Sequence, residues 1–261
     1  MNIKVRKKIL SQTIFLAVGC CVLRYLQRKN ELLPDGSLIE GAYLHTVLML
    51  VSICAALGSA FLLWKLAKHT SWEQFFHNKI LLTVLFGGAG ILLIGNVLLW
   101  IRGAEATSLY GSTSPDFSNF LNKILPPLGI AAAGCIGFYA YKCYLNEKPS
   151  PLLYMCASLY LIVRLIVCFQ AWNTDPSIHD YCYALLAAIS TMLATFHLAG
   201  FSFDKGKRRM TLFWLKCAVH FCFISLADAI YAADLGELLI TASLLLIMAV
   251  NTSQLLFAKE E

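Results

Sequence analysis

With 261 residues, 59% hydrophobic and 14% charged, the chain carries far fewer charges than soluble domains, where about a quarter of residues are charged. A mean hydropathy of +0.68 agrees. These figures exclude an ordinary water-soluble globule, a disordered chain and a nucleic-acid binder with water-facing basic patches. The net charge of +6 has to be read by position, because basic residues in membrane proteins report orientation.

A helix needs about 20 apolar residues to cross a hydrocarbon core of ~30 Å. Eight runs reach that length, at 9–27, 42–64, 80–101, 119–141, 151–172, 180–201, 211–232 and 235–257. The expected fold is all-α: one polytopic membrane bundle spanning residues 1–261, set in the lipid bilayer of the plasma membrane.

The first run follows Lys4, Arg6, Lys7 and Lys8. Such a start also describes a secretory signal, and Ala17-Val18-Gly19-Cys20 loosely resembles a lipoprotein cleavage box. Its leading Ala fits poorly, so the run is read as a retained span. Arg24 stands a few residues from its outer end, where a side chain can snorkel to water. Pro34-Asp35-Gly36 is a turn before the second run, and the aromatic segment 70–79 after it suits the headgroup zone. The third run holds Gly87, Gly88, Gly90, Gly95 and Asn96, which predict close helix contact and an interhelical hydrogen bond. A small-residue loop, 102–118, leads to the fourth run, where Pro126-Pro127 should kink or break the helix.

The fifth run places Arg164 among six branched apolar neighbours, about eight residues and so ~12 Å from its end. A charge at that depth faces the bundle and needs a partner; Asp228 in the seventh run is the expected one. On the sixth run, Asp180, Ala187, Ala194 and Phe201 recur every seven residues, interleaved with Tyr183, Ser190 and His197. This stripe reads either as tight helix packing or as a polar seam. His220 lies near the middle of the seventh run, with Lys216 one turn closer to the cytoplasm. Two histidines without further context do not make a haem site. The ten cysteines contain no Cys-x-x-Cys pair, and Cys217, His220 and Cys222 do not converge on one helix face. No cofactor and no metal are expected.

With a cytoplasmic N-terminus, fifteen of the 21 basic residues fall on the inner side and four outside, while Arg24 and Arg164 lie within spans. That asymmetry predicts both termini inside. The inner cluster Lys205, Lys207, Arg208 and Arg209 suits anionic lipid headgroups. A shift of 140 residues aligns Arg24 with Arg164, Asp35 with Asp175, Tyr43 with Tyr183 and Lys65 with Lys205. Such register predicts a parallel four-plus-four repeat with halves 1–147 and 148–261.

Neither a His-Glu-x-x-His zinc motif, nor a Gly-x-Ser-x-Gly elbow, nor a Walker-type phosphate loop occurs. The leading functional expectation is a small-solute or ion transporter with a polar site between the fifth, sixth and seventh spans. Arg164, Asp228, Asp180, Tyr183, Ser190 and Asn96 would bind the solute, and His197 and His220 would relay protons. The alternative is a non-catalytic sensor, or an accessory subunit held by a membrane-protein partner.

Overall fold

The computed structural model describes residues 3–33, 37–39, 41–64, 78–102, 115–172 and 178–258. Among the described residues are eight helices: α1 (Ile3–Asn30), α2 (Leu44–Leu63), α3 (Lys79–Arg102), α4 (Pro115–Tyr144), α5 (Leu152–Trp172), α6 (Ile178–Ser202), α7 (Arg208–Ala232) and α8 (Leu235–Phe257). Each coincides with one expected run to within a few residues, and each is long and apolar enough to cross a membrane. The chain is therefore an all-helical, multi-pass membrane protein. The interfacial segment expected at 70–79 and the loop at 102–118 fall largely outside the described residues.

Helices α3 to α8 pack in cyclic order, and α8 closes the ring against α3. Outside this ring α1 lies along α7, and α2 leans on α1 and α7. Apolar side chains such as Leu85, Leu92, Ile136, Leu215, Ile247 and Met248 fill the ring's core. The ring runs through the boundary between the expected halves, since α4 and α5 are packed neighbours. Among the described residues α6 packs along α7, whereas the equivalent pair, α2 and α3, touches at most marginally.

The glycines of α3 do not act alike. A Cβ on Gly95 would sit 2.9 Å from Ile240 Cγ1 and 3.2 Å from the Ile240 backbone nitrogen, so this position sets how closely α3 and α8 approach. Gly87 and Gly90 have nothing within 4 Å of such a Cβ. On α4, a Cβ at Gly129 would fall 2.0 Å from Asn96 Oδ1. Asn96 has little room to move: it is fully buried, donates to the Leu92 carbonyl at 2.9 Å and accepts from the Tyr160 hydroxyl at 3.2 Å. Gly129→Ala must displace that bonded side chain, and overpacking of this kind costs about 1–3 kcal/mol. A lower thermal midpoint in detergent is expected; an unchanged one would contradict the α3–α4 contact.

Helix α4 runs unbroken through Pro126 and Pro127, so of the expected kink or break the break does not occur. Proline's φ is itself helical, and neighbouring turns and helices can satisfy the freed carbonyls.

The two ends of the bundle are tied by charge. At one, Glu31 accepts backbone hydrogen bonds from Tyr43 (3.0 Å), Leu44 (2.9 Å) and His45 (3.2 Å). A carboxylate from the end of α1 thus satisfies otherwise orphaned donors at the start of α2, where the helix dipole also favours a negative charge. Glu31→Ala should cost about 1–2 kcal/mol. Amide hydrogen exchange at 43–45 should rise; unaltered protection there would contradict the cap. At the other end, Arg6 donates to the Leu256 and Ala258 carbonyls, and Arg208 to those of Leu255, Leu256 and Ala258. Two cations there complement the C-terminal pole of α8. Arg208 is fully buried, and the carbonyls of α8 take its donors. Arg6 and Ala258 therefore lie at the same end of the molecule.

Candidate functional site between α5, α6, α7 and α8

The sequence places small residues where α6 and α7 face each other. Ala184, Ala187 and Ala188 on α6 and Ala229 and Ala232 on α7 line a cavity of about 260 Å³, bounded also by α5 and α8. Short side chains at these positions leave space that a leucine would fill. Into the same cavity face Arg28, Arg164, Asp228, Asp234 and Glu237.

Each charge is held by its own element. Asp228, in the last turns of α7, accepts at Oδ1 from Arg24 Nε at 2.8 Å and from Arg28 Nε at 2.7 Å. Arg24 is fully buried, donates also to Gln27 Oε1 at 3.0 Å, and rests its guanidinium 5.1 Å above the Tyr183 ring. Arg28 lies 5.8 Å from the ring centre of Tyr231. The second oxygen of Asp228, Oδ2, is buried and takes no hydrogen bond in the structure. Across the cavity Arg164 Nη2 pairs with Glu237 Oε2 in the first turn of α8. Asp234 is the N-cap of α8, accepting from the backbone nitrogens of Gly236 (2.8 Å) and Glu237 (3.3 Å).

Toward the Arg208 end of the bundle, hydrogen bonds cross between helices of the ring. Ser158 on α5 donates to Thr195 on α6 at 3.1 Å, and the Tyr154 hydroxyl donates to Asn251 on α8 at 3.2 Å. Tyr154 also packs edge-on against Tyr139 of α4, centroids 4.3 Å apart. These fully buried side chains fill that part of the bundle.

The expected site residues distribute as follows. Arg164 and Asp228 line one cavity, yet they are not each other's partners, which corrects the expected pair. Arg24 is not a snorkelling residue, because α1 packs on α7 and sets a carboxylate beside it. Tyr183 belongs to the α1 contact, about 40° round α6 from the cavity-facing Ala187 and about 80° from Thr191. Ser190 is buried and donates back to the Leu186 and Ala187 carbonyls. Asn96 serves the α3–α4–α5 contact described above. Asp180 stands in the first turn of α6, and its side chain lies outside the described residues.

The two histidines are not brought together. His197 lines a pocket with Phe203, Lys205 and Lys207 at the Arg208 end. His220 bonds Ser52 of α2 at 3.1 Å, on the face of α7 roughly opposite Cys222, which faces the cavity.

Sequence reasoning missed Arg28, Asp234 and Glu237 as cavity residues. Their signal was position, within a turn or so of a span's end. Comparison with protein-family models, with curated proteins and with solved structures finds no match to this chain.

Proposed function

We propose that the protein carries a small charged or zwitterionic solute across the membrane, with the cavity between α5, α6, α7 and α8 as its binding site. One observation carries the reading: charges of both signs line a single 260 Å³ space between membrane-spanning helices. Such groups are costly there and mark solute pathways. Arg164 offers a planar, multidentate donor set suited to a carboxylate or other oxyanion. The Asp228 carboxylate supplies negative charge that suits an ammonium group. The filled Arg208 end of the ring suits a site reached from one face at a time. By the charge asymmetry of the loops, that face is the outer one and both termini are cytoplasmic, in the plasma membrane. Lys205, Lys207 and Arg209 remain as headgroup contacts in this reading, with Arg209 also 6.0 Å from the Trp64 ring.

Counterflow in vesicles containing the full chain tests the proposal, using a radiolabelled mixture of amino acids as the probe. Saturable accumulation above protein-free vesicles is expected. Its absence would contradict transport of this solute class. A stoichiometric membrane protein co-purifying with an inactive chain would instead favour an accessory subunit.

A further inference from the structure

A second cavity lies on the other side of α7, outside the ring. It occupies about 540 Å³ between α1, α2 and α7, and its walls are mostly apolar, with Phe15 and Leu16 from α1 and Leu50 and Leu62 from α2; Gln12, Thr13 and Ser59 are uncharged polar groups among them. These two helices bury the smallest share of their spans among the described helices, so the cavity borders the surface that lipid must cover. Among the described residues its lining holds no Asp or Glu. It does hold Lys216, which is 5% exposed and makes no hydrogen bond or ion pair with the described residues.

That lysine is physically anomalous. It stands eight residues into α7, ~12 Å from Arg208 along the helix axis. A buried ammonium is costly without a counter-charge, and every other buried basic side chain described here has acceptors. Arg208 has the carbonyls of α8, Arg24 has Asp228, and Arg164 has Glu237. One turn further along α7, His220 and its partner Ser52 add an uncharged polar pair to the lining. The cavity thus combines a long apolar trough with one cationic floor group.

We infer that this cavity binds a single-chain amphiphilic carboxylate of the fatty-acid class, its head on Lys216 and its chain between α1 and α2. Charge complementarity selects an anion, and the apolar walls select a hydrocarbon tail. The volume of about 540 Å³ has room for one hydrocarbon chain. The site is independent of the solute cavity, from which α7 separates it.

The test uses the full-length protein, delipidated and placed in phosphatidylcholine nanodiscs, with protein-free discs as the background. Radiolabelled palmitate should bind saturably at one per chain. Hexadecanol, with the same tail and no charge, should bind about tenfold or more weakly. Lys216→Met should weaken palmitate about tenfold, while Lys216→Arg keeps binding within a few-fold. Absence of saturable palmitate binding would overturn the proposal, as would equal affinity for hexadecanol or undiminished binding by Lys216→Met. Displacement of palmitate by an equimolar two-chain phosphatidylglycerol would overturn the choice of a single-chain ligand. Should Lys216→Met fail to fold, the comparison of palmitate with hexadecanol on the natural chain decides alone.

Discussion

Asp228→Ala should cost about 3–5 kcal/mol of stability, the largest loss expected of any single substitution in this chain. The magnitude follows from what the carboxylate offsets. Its Oδ1 takes hydrogen bonds from two guanidinium groups, one of them fully buried. Removing it leaves two positive charges close together in a region of low dielectric, where desolvation is costly. The same contact fastens α1 to α7, so its loss also loosens a helix that lies outside the ring. Thermal unfolding in detergent should show a midpoint lower by roughly 10 °C. A midpoint within a degree or two of the natural protein would mean that the Arg24–Asp228–Arg28 cluster contributes little to the fold.

Arg164→Ala should behave differently: the protein stays folded and uptake falls to background. Arg164 and Glu237 have side chains 10% and 23% exposed, against 0% and 11% for Arg24 and Asp228, so water screens this pair more. Its removal should cost about 1–2 kcal/mol, less than the loss of Asp228. A purely structural pair would tolerate exchange of its members. Arg164→Glu combined with Glu237→Arg keeps an ion pair across α5 and α8 but moves the guanidinium off the cavity's α5 wall. The exchanged protein should recover stability and not uptake. Recovery of both would assign the pair to helix fastening alone.

The eight helices were readable from sequence because span hydrophobicity is a local property, independent of which helix lies beside which. The region around Arg164 and Asp228 was readable for a related reason: a charge inside an apolar run must face protein or water. Which charges pair was not readable. Arg164 and Asp228 lie at similar depth, but partner choice depends on the order of helices around the ring. With α8 beside α3 and α7, Glu237 comes to Arg164; with α1 laid along α7, Arg24 and Arg28 come to Asp228. The polar stripe of α6 shows the same gap between pattern and placement. Its alanines face the cavity, while Tyr183 serves the α1 contact and Ser190 satisfies itself on its own helix. His220 was expected beside the site, and its place on the far face of α7 follows once Cys222 and Ala229 are known to face inward. Lys216 looked like an inner-end residue, and its burial emerges only when α1 and α2 are set against α7.

The measurement that tests the account most directly is uptake of labelled amino acids into vesicles bearing equal amounts of folded natural protein or Arg164→Ala. Saturable uptake by the natural chain and background uptake by the variant are expected. Equal uptake by both would contradict the assignment of the solute site to the cavity between α5, α6, α7 and α8.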